Sequence, residues 1–145
     1  MKTVLIALDF SQFYHEVEKV GYEIAQAIGA SVTLITIINK DLNYTLEYRG
    51  LEFADQWEGR LFAAQEQLDL IKNNHPETET KIITFIGTPK EEIIEASYAD
   101  DVCYVVLGKY GRTGFSSLVM GGTSAFVLQH ATKPVVVVPY KKQRH

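Results

Sequence analysis

Two hydrophobic periods alternate along this chain. Short runs rich in Val, Ile and Leu recur at Val4 to Leu8, Ser31 to Ile38, Lys81 to Ile86, Val102 to Leu107 and Val135 to Val138. Runs of this kind read as strands buried on both faces, as a parallel sheet requires. Between them the apolar positions fall three or four apart. Phe13, Val17, Val20, Ile24 and Ile28 form one such series; Phe53, Trp57, Leu61, Ala64, Leu68 and Ile71 form another. Each predicts an amphipathic helix with one apolar face. A third helix carries Ile93, Ile94 and Ala96, and a short fourth, Ser124 to His130, offers Phe126 and Val127 to a core.

The punctuation agrees with these elements. Ser11 can cap the first helix, and Gly29 is placed to end it. Asn73-Asn74-His75-Pro76 closes the second, because proline discourages continuation. Thr88, Pro89 and Glu91 suit the N-cap, the first helical position and the capping-box position of the third, which stops near Asp100-Asp101. Asn39 to Gly50 breaks the pattern and reads as a loop. Its Tyr44 and Tyr48 either cover a ligand or pack as ordinary surface aromatics. Strands alternating with helices mean an α/β fold, a parallel sheet with helices on both faces.

The 145 residues fit a single domain, 1–145, with no repeat or interdomain linker. The net charge of −4 argues against general nucleic-acid binding, which needs a positive surface. The basic end, Lys141 to His145, reads as a solvated tail. Cys103 is the only cysteine, so no intrachain disulfide forms, and its apolar surroundings predict an inert thiol. The apolar start, Val4 to Leu8, is cut off by Asp9 and is too short for a signal peptide. No run has the length of a membrane span. A cytoplasmic protein is the expectation.

Half of the ten glycines lie between Gly108 and Gly122. Glycine is entropically costly, so a cluster predicts a backbone that approaches a ligand closely and turns N–H groups onto an anion. In open parallel sheets, ligands bind beyond the carboxyl ends of the strands where strand order reverses. For an order of 3-2-1-4-5, the first and fourth strands flank that point, and their ends carry Asp9 and Gly108. The spacing excludes a Walker A loop and a dinucleotide G-x-G-x-x-G fingerprint. What stands here is Gly108-x-x-Gly111, nine residues, then Gly121-Gly122-Thr123-Ser124.

That spacing, with Asp9-Phe10-Ser11 closing the first strand and the ending Lys133-Pro134-Val135-Val136-Val137-Val138-Pro139, resembles the nucleotide-binding subgroup of the universal stress proteins over essentially the whole chain. The resemblance implies an open five-stranded parallel sheet of order 3-2-1-4-5, adenine nucleotide hydrolase-like, with ATP, ADP or AMP in the cleft. By position, Ala7 and Asp9 lie by the adenine or ribose, and the Ile37 backbone meets the adenine. Gly108 and Gly111 pass close to ribose and phosphates. Gly121, Gly122, Thr123 and Ser124 bind phosphate oxygens. Arg112 and Lys109 either neutralise phosphate or are ordinary loop charge. Mg2+ would be held through the phosphates. The resemblance also implies a homodimer through antiparallel pairing of Val135–Val138.

One position departs from the pattern. The family's serine or threonine after the third motif glycine is Gly122 here, which removes a hydroxyl donor worth about 1.5–3 kcal/mol toward a charged group. Little points to catalysis. No second acid is placed beside Asp9, no Ser-His-Asp order is evident, and no Cys/His spacing suits a metal. His15 reads as a surface residue and His130 as a partner of its helix dipole. A regulatory sensor acting on an unidentified protein partner is the expected function. Slow ATP hydrolysis or adenylate formation is the alternative enzyme reading, and a nucleotide-independent interaction protein is the other. A phosphorylation receiver fits poorly, because Gly87-Thr88-Pro89 follows the third strand where an aspartate is needed.

Overall fold

Thr3–Ala7 forms β1, with every residue buried, at the centre of the sheet. The computed structural model describes residues 1–10, 14–40, 53–109 and 122–139, the side chains of 53–56 excepted. After β1 come α1 (Tyr14–Ile28), β2 (Ser31–Asn39), α2 (Phe53–Asn74), β3 (Thr80–Gly87), α3 (Pro89–Ser97), β4 (Val102–Gly108), α4 (Gly122–His130) and β5 (Val135–Val138). All four strand pairings are parallel, and the order is β3-β2-β1-β4-β5, as expected.

Side chains on a strand alternate between faces, and β1 shows the result. Val4, Ile6 and Leu8 pack with Val17, Tyr22 and Ala25 of α1 and with Leu68 and Ile71 of α2. Leu5 and Ala7 pack on the opposite face with Ile93 and Ile94 of α3 and Val127 of α4. One sheet therefore separates two apolar layers. The runs in β1 and β4 are apolar on both sides because both sides are covered.

The α1 face differs from the one the periodicity predicts. Its buried residues are Val17, Gly21, Tyr22 and Ala25, while Val20 and Ile24 are half-buried and Ile28 is exposed. The cause is close approach at Gly21. A Cβ there would lie 2.6 Å from Ile6 Cγ1, so the bare backbone sits on the sheet. Tyr22 follows it inward and shares a 2.8 Å hydrogen bond with Thr80 Oγ1.

Gly29 ends α1 as expected, with φ +69. The Ala30 N–H reaches back to the Ala25 carbonyl at 2.8 Å, and the Gly29 N–H to that of Gln26, which is a Schellman closure. Thr88 is the N-cap of α3 and Pro89 its first residue, but the Thr88 side chain makes no capping bond, so the capping box is not formed. On α2, Ala64, Leu68 and Ile71 are buried, while Phe62 and Leu70 face outward.

Candidate functional site

Chain direction reverses its spread at β1. Its helix α1 packs on one face, and α4, after the neighbouring β4, packs on the other. The crevice beyond the carboxyl ends of β1 and β4 is therefore the expected ligand position. The register sets Ile6 beside Val106, and one further step brings Ala7 to Leu107. Asp9 and Gly108 thus leave neighbouring strands at the same end of the sheet.

The exit of β1 is fixed by β2. The Leu8 N–H donates to the Ile35 carbonyl at 2.9 Å, and the Thr36 hydroxyl donates to the Leu8 carbonyl. Asp9 is exposed directly beyond this anchor. Phe10 follows with φ 56. A left-handed conformation in a non-glycine residue costs about 1–2 kcal/mol and marks a sharp change of direction. The Phe10 ring meets Tyr14 edge-on at 5.2 Å, which seats the turn on the start of α1. Burial there raises the Tyr14 phenol above its ordinary pKa, and the nearby Glu18 carboxylate adds to it.

The edge of β2 faces the same crevice. In a parallel ladder, alternate residues turn both main-chain groups toward the same neighbour. The Ser31 N–H bonds to Lys2 and the Ile35 carbonyl to Leu8, so this set looks to β1. Val32 bonds to Glu79 and Lys40 to Gly87, so the other set looks to β3. Ile37 belongs to the first set. Pairing with β1 ends at Ala7 and Ile35, which leaves the Ile37 main chain directed into the space where β1 has turned away.

At β4 the exit is held on two sides. The Lys109 N–H donates to the Val138 carbonyl at 2.8 Å, and the Lys109 carbonyl accepts from Ser124 Oγ at 2.9 Å. Ser124 is buried in the first turn of α4. Its hydroxyl thus ties the helix N-terminus to the start of the glycine segment. The first N–H groups of a helix lack intrahelical acceptors, and α4 presents those of Gly122, Thr123 and Ser124. Among the described residues nothing lies within 4 Å of a Cβ built on Gly122.

The structure thus gathers Asp9, Ile37, Gly108, Gly122, Thr123 and Ser124 at one end of the sheet. Ala7 is one residue further in, with its side chain in the α3/α4 layer. Gly111, Arg112 and Gly121 lie outside the described residues, as do Ser11, Phe13, Tyr44 and Tyr48. Residue reading missed Thr36 and the Phe10 turn. The only signal for Thr36 was a hydroxyl between Ile35 and Ile37 in an otherwise apolar run.

The remaining candidates settle elsewhere. The exposed His15 sits 3.7 Å from Glu18. The Nδ1 of His130 is 2.9 Å from the Phe126 carbonyl, and its ring stacks on Phe126. Cys103 Sγ donates to the Thr3 carbonyl. Among the described residues no His, Cys, Asp and Glu group suits a metal ion. No helix among them is long and apolar enough to cross a membrane.

The family model described as the Universal stress protein family matches residues 1–139. Universal stress protein MJ0531 of Methanocaldococcus jannaschii is 28% identical over 148 aligned residues, covering 98% of this chain and 84% of that protein. MJ0577 of the same organism is 27% identical over 93 residues, 62% of this chain, and the matched stretch spans only 57% of that relative. The solved structure of MJ0577 is similar with a TM-score of 0.81 at 24% identity, covering 98% of each chain. The universal stress protein from Archaeoglobus fulgidus in complex with dAMP gives 0.65 at 18% identity, covering 94% of this chain and 96% of that one.

Proposed function

The chain belongs to the universal stress protein family, and from that premise we propose that it binds an adenine nucleotide beyond the ends of β1 and β4 and acts as a regulatory module. The observation that carries this reading is the convergence of the Asp9 turn, the Ile37 main-chain edge and the α4 N-terminus at the sheet's switch point. The dAMP complex of the Archaeoglobus fulgidus relative supports the ligand class.

ATP, ADP and AMP share the adenosine that Asp9 and Ile37 would hold. The phosphates would meet the glycine segment, with Gly108, Gly111 and Gly121 giving close backbone approach. Gly122, Thr123 and Ser124 would supply N–H donors at a helix end whose dipole favours anions. Arg112 would neutralise phosphate charge, and Mg2+ would be carried on the phosphates rather than on a protein cage. The Ser124 hydroxyl proton is directed to Lys109, so its contribution to phosphate is its main-chain N–H and an oxygen lone pair.

The loop expected from Asn39 begins later, since Asn39 belongs to β2; binding would act on the following 41–50 and on the glycine segment and so change the surface offered to a protein partner in a cytoplasmic stress response. The strand β5 would pair with a second copy, because a valine-rich strand at the edge of the described sheet favours strand addition. Amide exchange with and without ATP tests the sensor reading. Slowed exchange at Asp9, Ile37, Gly108 to Ser124 and 41–50 is expected, and identical profiles under saturating ATP would refute it.

A further inference from the structure

The rung of the β1–β2 ladder after Ile35 is not closed in the usual way. Regular pairing would have the Ile37 N–H donate to the Leu8 carbonyl. Here that carbonyl takes its hydrogen from the Thr36 side chain. Thr36 and Leu8 are both buried, at 3% and 4% exposure, so water does not compete for the bond. Leu8 is still held to β2 through its own N–H. The strand end is therefore anchored without using Ile37, and the next residues turn away through the left-handed Phe10.

We propose that Thr36 is a positioning residue for purine recognition: its bond holds the Leu8 carbonyl away from the Ile37 N–H, and the turn at Phe10 leaves the Ile37 C=O without its ladder donor, so both main-chain groups face the base. This rests on the adenine-nucleotide reading of the site. A strand edge offers one donor and one acceptor. Adenine carries the complementary pair on its Watson–Crick edge, a ring nitrogen that accepts and an exocyclic amine that donates. Guanine carries the reverse pattern, a carbonyl that accepts and a ring N–H that donates. Leaving Ile37 open thus favours adenine, and a site built on such hydrogen bonds rejects a base that leaves them unpaired.

A Thr36→Val substitution keeps the β-branched shape and removes the hydroxyl. The Leu8 carbonyl is then available to the Ile37 N–H, and the ladder gains a rung where the base would sit. Thr36→Ser keeps the hydroxyl and serves as the rescue. The phosphates lie at the other end of the ligand, so the effect is independent of their number.

Two measurements test this. Amide hydrogen exchange by NMR, without nucleotide, is expected to show Ile37 exchanging at least about tenfold faster than Ile35, slowing in Thr36→Val and unchanged in Thr36→Ser. Calorimetric titration is expected to show about tenfold weaker binding of ATP and AMP alike in Thr36→Val, with a narrower ATP-over-GTP preference and near wild-type values in Thr36→Ser. An Ile37 amide as protected as Ile35 in the wild type overturns the proposal, even if no valine variant folds. So does a folded Thr36→Val with wild-type ATP affinity, or a loss that grows with phosphate number. Wild-type protein that binds no nucleotide ends the adenine reading itself, and this proposal with it. Wild-type binding with an indifferent Thr36 ends this proposal alone.

Discussion

Ser124 Oγ donates to the Lys109 carbonyl across 2.9 Å and so joins the two ends of the glycine segment. Ser124 is buried at the first turn of α4, and the bond itself is partly buried. It holds the helix N-terminus against the end of β4 before any ligand arrives. Ser124→Ala removes the donor and leaves the carbonyl, at a cost of about 1 kcal/mol in stability. Urea denaturation measures that cost. Nucleotide titration is expected to show a loss that grows from AMP to ATP, because the phosphate end is the part disturbed. Equal losses for both nucleotides would contradict this placement.

Among the described residues nothing lies within 4 Å of where a Gly122 side chain would stand, and its φ is not left-handed. Gly122→Ser, which restores the hydroxyl of the family pattern, is expected to fold normally. It gains about 0.4–1 kcal/mol from reduced freedom of the unfolded chain. ATP affinity is expected to rise by about tenfold, the effect of one added hydrogen bond to a charged phosphate. A fall in affinity would show that the space is needed by the ligand.

Gly21 has no such space. A Cβ there would meet Cγ1 and Cδ1 of the fully buried Ile6. Gly21→Ala would improve helix propensity by about 0.8–1 kcal/mol. Overpacking costs about 1–3 kcal/mol and opposes it. The expected result is a less stable protein, with part of the loss recovered when Ile6→Val is added. A thermal melt that rises in the single variant would contradict the close approach of α1.

Lys133 Nζ donates to three carbonyls, those of Ser97 at 3.1 Å, Ala99 at 2.8 Å and Val102 at 2.7 Å. It closes the end of α3 and the entry of β4 together, where a cation also complements the helix dipole. Lys133→Met is expected to cost about 1.5–3 kcal/mol. Lys133→Arg is expected to recover only part of it, since the larger guanidinium fixes its donors in one plane while the compact ammonium turns three toward the carbonyls. Denaturation midpoints compare the two, and full recovery by arginine would count against this geometry.

Burial raises the Tyr22 pKa; the Glu18 and Glu77 carboxylates add to it, and the Thr80 hydrogen bond opposes it. A raised folded-state pKa means the fold favours the neutral phenol. Its contribution is complete below the unfolded-state value of about 10 and is lost as pH rises through the higher folded-state value. Stability is therefore expected to fall in the alkaline range, and Tyr22→Phe is expected to flatten that part of the curve. An unchanged alkaline slope in the variant would contradict it.

The strands were legible because a sheet covered on both faces needs continuous apolar runs, and β1 and β4 contain little that is polar. Gly29 was legible because a left-handed helix end favours glycine. The α1 face was legible in part: Val17 is buried and Val20 and Ile24 pack on the core, but a hydrophobic period gives no weight to Gly21 and little to Ala25 or Tyr22, which are buried too. That Asp9, Gly108 and the start of α4 lie at one end of the sheet was legible from the expected strand order. Their connections were not. The Thr36–Leu8 bond depends on a register between residues 28 apart, and nothing in Asp9-Phe10 announces a left-handed phenylalanine.

Calorimetric titration of the purified protein with ATP tests the central claim most directly. Saturable binding of one nucleotide per chain is expected, lost in a folded Gly111→Val variant, as the proposed approach of that glycine to ribose and phosphates requires. Absence of saturable heat up to millimolar ATP, or unaltered binding in that variant, would contradict the account.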